Sequence, residues 1–170
     1  MSARDTRIQQ DLKKIKALSD RTGGKVIVSE TKGSPIDEIF LELKYTTAPS
    51  NSYPSVKQNV TKVKISLVSR YPFVEPAATI TTPIYHPNVY SGGKICFGTK
   101  WLPTESLDLF VKRIIKILTF DPTILNESSP ANRSALEWYR TARSRNPSSF
   151  PTDRFVENNE PKGPITWNNM

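Results

Sequence analysis

The amino-acid sequence predicts an α+β fold, in which an N-terminal helix is followed by a four-stranded antiparallel meander, an irregular catalytic loop and C-terminal helices. Apolar residues recur at helical spacing near the N-terminus and then at every second position in several short runs. No helical pattern separates these runs, so consecutive strands should pair antiparallel rather than through parallel crossovers. Helical spacing returns only after residue 103.

The first element is predicted as an amphipathic helix over residues 5–18. Its apolar residues would form one buried stripe: Ile8, Leu12, Ile15 and Leu18. Its outer face would be cationic: Arg7, Lys13, Lys14 and Lys16. A solvated outer surface explains these charges, and so does an acidic protein partner. Gly23 and Gly24 are expected to end the helix.

The meander is predicted from residues that alternate between apolar and polar side chains, with a long polar loop over residues 46–61. Pro72 and Pro76 exclude regular structure before the last strand, because each proline fixes φ and lacks a backbone donor. The four predicted strands cover residues 26–28, 39–45, 63–67 and 77–81.

Two C-terminal helices are predicted. Thr104 or Ser106 would cap the first, whose apolar stripe runs through residues 107–118. Ser129 followed by Pro130 is typical of an N-cap and a first helical position, and predicts the start of the second helix. Both predictions rest on local sequence signals alone.

The domain organisation is predicted to be simple. Residues 1–158 are expected to form one catalytic domain, with residues 153–158 adding one or two helical turns. Residues 159–170 are polar and contain proline and asparagine, so we expect them to form a flexible C-terminal tail.

Composition limits the functional classes. The single cysteine cannot form an internal disulfide, and no apolar run approaches the roughly 20 residues that span a bilayer, so we expect a cytoplasmic protein without membrane contact. The formal charge of +8 is spread along the chain without interleaved aromatic residues, which favours an acidic protein partner over nucleic acid. One cysteine and one histidine are too few for a typical metal site, and we expect no cofactor.

The only histidine and the only cysteine both lie in the segment from His86 to Pro103. Cys96 is intrinsically nucleophilic, and Lys94 and Lys100 are placed to favour its thiolate form. Asn88, eight residues earlier, has an amide that donates hydrogen bonds without titrating. A soft nucleophile facing a neutral donor is the minimum apparatus for acyl transfer through a thioester.

Five short motifs, in this order, resemble those of the ubiquitin-conjugating enzymes, the carriers of ubiquitin-like proteins. The resemblance covers roughly residues 5–150 and includes the order of helices and strands. The motifs are Tyr71-Pro72-Phe73-x-x-Pro76, Tyr85-His86-Pro87-Asn88, Gly93-x-Ile95-Cys96, Trp101-x-Pro103 and Ser129-Pro130-Ala131-Asn132.

The resemblance implies that Cys96 accepts the C-terminal glycine of a ubiquitin-like protein from an activating enzyme and passes it to an amine or another thiol. Asn88 would stabilise the oxyanion or the loop that shapes it. Ser129 would be a gate residue that orients or deprotonates the incoming lysine, and Glu127 is a candidate carboxylate to accept its proton. The carrier's implied partners are a ubiquitin-like protein, an activating enzyme, a protein substrate and, where one is used, a ligase.

Two further sets of residues receive implied roles. Three would support the catalytic loop: His86, Pro87 and Trp101. Five would bind the activating enzyme or a ligase: Arg7, Lys13, Lys14, Phe73 and Pro103.

The sequence also departs from the family's pattern. The step from Cys96 to Trp101 is only five residues, which is a shortened loop, and Gly98 stands where an acidic residue is often found. Residues 53–56, Tyr-Pro-Ser-Val, replace the usual Tyr-x-Gly-Gly turn. These departures indicate a divergent member, which the ubiquitin-like conjugation operons of bacteria, some linked to phage defence, would accommodate.

Other functions compete with the carrier. A cysteine hydrolase would need His86 as the base of Cys96. A non-catalytic scaffold of the same fold, or an inert buried cysteine, would need no chemistry at all. A cysteine phosphatase is disfavoured because Leu102 stands where its phosphate loop needs arginine. Retention of both Cys96 and Asn88 favours the carrier.

Overall fold

The structure is a computed structural model that describes residues 1–158, and the predicted tail over residues 159–170 lies outside the described residues. The helices and strands follow the predicted order, and the antiparallel meander is confirmed, with strand order β1-β2-β3-β4. The elements are α1 (Ala3–Arg21), β1 (Val26–Lys32), β2 (Glu38–Leu43), β3 (Thr61–Ser66), β4 (Ala77–Ile80), α2 (Leu107–Leu118) and α3 (Arg133–Arg145).

Strand register explains the core. Val28 pairs with Leu41, Leu41 with Val63, and Val63 with Ile80, so these four side chains form one row across the sheet. Residues of this row pack in one apolar cluster with the buried stripes of α1 and α2. The sheet and the two helices therefore form a rigid support for the loop that follows β4.

α1 is longer than predicted because its start is capped. The Ser2 hydroxyl accepts from the Asp5 amide, and the Asp5 carboxylate accepts from the Ser2 amide, which is a capping box. At the other end Thr22 is the C-cap, and Gly23 follows with a φ of +66°. The predicted glycine termination is confirmed.

Asp11, which is distant in sequence, caps the start of α2. Ser106 is the N-cap residue of α2, as predicted, but its hydroxyl bonds to the Asp108 carboxylate rather than to a helix amide. The buried Asp11 carboxylate of α1 instead accepts from the Leu107 amide at 3.2 Å. It also accepts from the Tyr71 hydroxyl at 2.5 Å, and this burial and bonding raise the pKa of Tyr71.

The prediction that Ser129 and Pro130 begin the third helix is wrong. α3 begins at Arg133, and Asn132 is its N-cap, with a side chain that accepts from the Ala135 amide at 3.0 Å. The amides of Ala131 and Asn132 both donate to the Pro87 carbonyl, at 2.8 and 3.0 Å. These bonds hold the preceding segment in non-helical conformation against the loop.

The expected helical turns over residues 153–158 are also absent, and this segment is irregular. It packs back over the helices: the Thr152 amide donates to the Thr119 carbonyl at 2.9 Å, and Phe155 lies against the core. The Glu157 carboxylate pairs with Arg21 of α1 and Lys112 of α2. These contacts take the place of a helix.

Candidate active site

His86 anchors the start of the catalytic loop. It is fully buried, and its Nε2–H donates to the Ile117 carbonyl of α2 at 2.5 Å, while its Nδ1 accepts from the Asn88 amide at 2.9 Å. Burial lowers the pKa of His86 to about 3, so the ring is neutral at physiological pH. Both ring nitrogens of His86 are therefore engaged in hydrogen bonds within the protein.

Asn88 connects three segments of the site. Its carbonyl accepts from the Cys96 amide at 2.8 Å, which fixes the backbone of Cys96. Its buried side chain exchanges hydrogen bonds with the Asn126 backbone, donating from Nδ2 at 2.9 Å and accepting at Oδ1 at 3.4 Å. One Nδ2 proton is thus committed to Asn126, and the second is not assigned to any bond among the described residues.

A tight turn carries the loop from Asn88 to Cys96 along the edge of β4. The Ile95 amide donates to the Ala78 carbonyl at 3.0 Å, and the Ile80 amide donates to the Gly93 carbonyl at 2.8 Å. Gly93 has a φ of +91°, and a Cβ there would lie 2.3 Å from the Ile80 oxygen, so only glycine fits. The sheet thereby positions the cysteine.

Cys96 is a half-buried free thiol at the wall of an open cleft of about 320 Å³. Hydrogen bonding to Cys96 and its charge raise the pKa of the neighbouring Tyr90 hydroxyl, which is solvent-exposed. The cleft gives an incoming molecule access to the sulfur. Its lining residues are Glu75, Pro76, Ala77, Tyr90, Lys94, Ile95, Cys96, Phe97, Gly98 and Thr99.

The shortened loop after the cysteine is held by Arg113 of α2. The Arg113 guanidinium donates to the Thr99 hydroxyl at 2.6 Å and to the Glu105 carboxylate at 2.7 Å. It also lies over the ring of Phe97, 5.6 Å from the centroid. Arg113 was not selected from the sequence. A cation beside the apolar stripe of a helix is a pattern that can indicate a side chain holding a neighbouring loop.

Comparison with known proteins decides the family. The family described as "Ubiquitin-conjugating enzyme" matches residues 7–150 of the chain. The protein belongs to the ubiquitin-conjugating enzyme family. This identification confirms the resemblance that the five motifs indicated, and the observed order of helices and strands agrees with it.

Individual relatives of the ubiquitin-conjugating family match shorter segments. The ubiquitin-conjugating enzyme E2 of African swine fever virus (strain Badajoz 1971 Vero-adapted) is 31% identical over 90 residues, which cover 46% of this chain and 40% of the viral protein. Ubiquitin-conjugating enzyme E2 T of Homo sapiens is 34% identical over 74 residues, or 44% and 38% of the two chains. Ubiquitin-conjugating enzyme E2 14 of Arabidopsis thaliana is 32% identical over 91 residues, or 44% and 52%. The chain thus spans about half or less of these relatives.

The structure places Ser129 of this family member on an exposed segment next to Asn126. The Ser129 amide donates to the Asn126 side-chain oxygen at 3.3 Å, and the Ser128 hydroxyl donates to the same oxygen at 3.0 Å. Asn126 is therefore the residue that joins this segment to Asn88. Sequence reasoning missed it, because a single asparagine in a polar loop gives no distinctive signal.

The carboxylate of Glu127 is paired with α3. Its carboxylate pairs with Arg140 at 3.3 Å and Arg143 at 3.9 Å. Glu75 is the carboxylate that shares the cleft with Cys96, and sequence reasoning did not select it. Glu127 as the candidate proton acceptor stays a prediction, and its carboxylate is already paired with two arginines of α3.

The residues predicted to bind an activating enzyme or a ligase differ in availability. Phe73 is 75% exposed, and Pro103, Lys13 and Lys14 are exposed. Arg7 instead forms a 2.8 Å salt bridge with the Asp11 carboxylate of its own helix.

The guanidinium of Arg7 also donates to the Pro103 carbonyl at 2.8 Å. The Trp101 indole donates to the Pro72 carbonyl at 2.7 Å, which joins the Phe73 turn to the Pro103 loop. α1 and both loops therefore meet at one surface.

Residues 1–158 contain no helix that is long and apolar enough to cross a membrane. Over the same residues, no group of three or more histidine, cysteine, aspartate or glutamate side chains is placed to hold a metal ion.

Proposed function

We propose that the protein carries a ubiquitin-like protein as a thioester on Cys96 and transfers it to an amine or another thiol. The observation that carries the proposal is the position of Cys96. Its backbone is fixed to the Asn88 carbonyl at 2.8 Å, and the residue lines an open cleft. A fixed and accessible nucleophile suits acyl transfer, in which positioning supplies much of the rate.

The proposed reaction has two steps. In loading, the Cys96 thiolate attacks the thioester carbonyl of a charged activating enzyme, and the bond to that enzyme's sulfur breaks. In transfer, the nitrogen of an acceptor amine attacks the new thioester, Cys96 leaves as thiolate, and the nitrogen loses a proton. The thioester already stores the activation, so the protein supplies position and charge stabilisation rather than strong acid–base chemistry.

Asn88 has two roles in this proposal. Its bonds to Asn126 hold the segment that carries Ser129 next to the nucleophile. Its remaining Nδ2 proton is a candidate donor to the oxyanion that forms during attack. Ser129 is exposed at the edge of this arrangement, where it can contact an acceptor.

The geometry disfavours a cysteine hydrolase. His86 is the only histidine in the sequence, and its two nitrogens are bonded to the Ile117 carbonyl and the Asn88 amide. A general base needs a free nitrogen within hydrogen-bond reach of the nucleophile. His86, together with the buried Pro87, instead supports the loop.

The surface formed by α1, Phe73 and Pro103 is our proposed docking site for an activating enzyme and, where one is used, a ligase. Its exposed lysines, Lys13 and Lys14, suit an acidic partner. We infer that Arg7 contributes by fixing the Pro103 loop rather than by direct contact, because its guanidinium is already bonded within the protein. Residence in the cytoplasm and a bacterial operon context remain predictions from the sequence.

A charging assay tests the proposal. The protein is mixed with ATP, an activating enzyme and candidate ubiquitin-like proteins, beginning with ubiquitin, and the products are separated with and without reducing agent. We expect an adduct that the reductant removes, that is absent in Cys96→Ala and that resists the reductant in Cys96→Ser, because an oxygen ester replaces the thioester. A folded protein that forms no adduct with any donor would support a non-catalytic scaffold instead.

A further inference from the structure

We propose that the cleft beside Cys96 is the acceptor subsite, in which Glu75 binds the ammonium group of the incoming amine and accepts its proton. This inference rests on the proposed carrier function and adds to it a residue that selects the acceptor. It predicts that the preferred acceptor is cationic before it reacts.

The placement of Glu75 is the first argument. Glu75 precedes β4 and lines the same cleft as the sulfur-bearing residue, Cys96. Its side chain is exposed, so an incoming molecule can reach it. Within residues 1–158 no hydrogen bond or salt bridge engages its carboxylate. A carboxylate left without a partner beside a nucleophile is suited to hold a cation.

The environment of the carboxylate is the second argument. Partial burial raises the pKa of Glu75, and the neighbouring Glu105 acts in the same direction, while Arg113 and Lys94 oppose them. The Arg113 guanidinium is already bonded to Thr99 and Glu105. A carboxylate that is partly desolvated gains more from a bound ammonium than a fully hydrated one, and is a better proton acceptor.

The shortened loop is the third argument. Gly98 and Thr99 line the cleft, and Arg113 draws Thr99 towards α2 at 2.6 Å. Only four residues lie between Cys96 and Trp101, so the loop is short, and the cleft that Glu75 lines is open. The Asn88 side chain, by contrast, is engaged by hydrogen bonds to the Asn126 backbone.

Charge complementarity favours the acceptor over the donor as the occupant. The acyl end of the donor is an uncharged glycine thioester, for which a carboxylate has no special affinity. An acceptor lysine with a pKa of about 10.4 arrives almost wholly protonated at neutral pH and must lose that charge to react. In the proposed step the nitrogen forms a bond to the thioester carbon, the carbon–sulfur bond breaks, Cys96 leaves as thiolate, and the Glu75 carboxylate takes the nitrogen's proton.

The first experiment measures the cleft without any protein partner. Cys96 is the only cysteine, so methanethiosulfonate reagents label one site. The rate at which the cationic 2-aminoethyl reagent labels Cys96 is divided by the labelling rate of the neutral methyl reagent. This ratio cancels changes in thiol reactivity and reports the attraction of the cleft for a cation. We expect Glu75→Gln to lower this ratio about two- to fivefold, the range for a partly exposed ion pair. The control Glu30→Gln, on the exposed part of β1, should leave it unchanged.

The second experiment follows transfer. The probe is ubiquitin with a C-terminal mercaptoethanesulfonate thioester, which loads Cys96 by thiol exchange without an activating enzyme. The loaded protein is then discharged with free lysine or with hydroxylamine, which is mainly uncharged at neutral pH. We expect Glu75→Gln to slow discharge to lysine about two- to fivefold and to leave discharge to hydroxylamine unchanged.

The outcomes separate the two proposals. An unchanged reagent ratio, or equal slowing with lysine and hydroxylamine, would overturn the role of Glu75. Slower loading with normal discharge to lysine would mean that the cleft holds the donor, and would overturn it as well. Failure of the wild-type protein to load would count against the carrier function with ubiquitin, while the reagent ratio still decides whether Glu75 attracts a cation to Cys96.

Discussion

Cys96 lies between two walls of opposite character. The buried wall consists of the buried His86 and Asn88 together with the half-buried Asn126, whose polar groups bond to one another and to the backbone of α2. The open wall consists of Glu75 and Tyr90, which are exposed and line the cleft. This contrast supports the division of labour that we propose, in which the buried wall would fix the geometry of Cys96 and the open wall would meet the acceptor.

The energetics of the two walls differ accordingly. A buried polar group left without its partner costs about 1–3 kcal/mol, so each change in the buried wall should affect both stability and rate. Exposed polar pairs are worth about 0.2–1 kcal/mol, so changes in the open wall should alter rates modestly and leave the fold intact. Substitutions on each side can break or sharpen this comparison.

Asn88→Ala should have the largest effect. If the second Nδ2 proton is the oxyanion donor, transfer from loaded Cys96 should slow by about 10²–10³-fold. The segment carrying Ser129 should also loosen, because the Asn126 backbone loses its two hydrogen bonds to the Asn88 side chain. Single-turnover discharge of the thioester measures the rate, and thermal unfolding measures the loss of stability.

A matched control separates the two contributions of Asn88. Asn126→Ala keeps the backbone groups that bond to Asn88 but removes the side chain that bonds Ser128 and Ser129. It should loosen the segment without removing the oxyanion donor. A discharge rate for Asn88→Ala within about twofold of wild type would exclude the oxyanion role, since such donors are worth far more.

His86 should make stability depend on pH. The pKa of His86 is about 3 in the folded protein, against about 6.5 in an unfolded chain. Between these values the unfolded chain binds a proton that the native ring does not. The free energy of unfolding should therefore fall as the pH falls from about 6.5 towards 3, by up to about 1.4 kcal/mol per pH unit from this residue.

The protonation state of His86 can be measured without assignment of other rings, because the chain has one histidine. Nuclear magnetic resonance of the ring nitrogens at pH 5 should show a neutral imidazole protonated at Nε2, which donates to the Ile117 carbonyl. Denaturant titrations at several pH values give the slope of stability. A ring that titrates in the native state with a midpoint near 6.5 would contradict the buried wall as described.

The residues of the buried wall were easier to predict from the sequence than those of the open wall. His86, Asn88 and Cys96 stand in short motifs with fixed spacing, and the alternation of apolar residues predicted the sheet that supports them. Strand ends were less accurate: β1 continues to Lys32 although the apolar alternation stops at Val28, because its exposed end still pairs with β2. Backbone pairing at an edge needs no apolar side chain.

Errors and omissions occurred where distant segments meet. The start of α3 was misplaced because the Pro87 carbonyl binds the amides of residues 131 and 132, which no local signal for a helix cap reports. Glu75 and Arg113 were overlooked because each acquires its role from residues far along the chain. Local patterns predict elements, whereas a cleft depends on how those elements pack.

Tyr90→Phe should have the smallest effect and is the sharpest test of the open wall. Hydrogen bonding to Cys96 and its charge raise the pKa of the Tyr90 hydroxyl, so we expect this hydroxyl to contact the reacting sulfur. At an exposed site this bond is worth little, and its loss should slow alkylation of Cys96 by neutral iodoacetamide about two- to threefold. Thermal stability should not change, because the ring stays in place. A larger loss of rate with a loss of stability would place Tyr90 with the buried wall, and the division of labour around Cys96 would then be wrong.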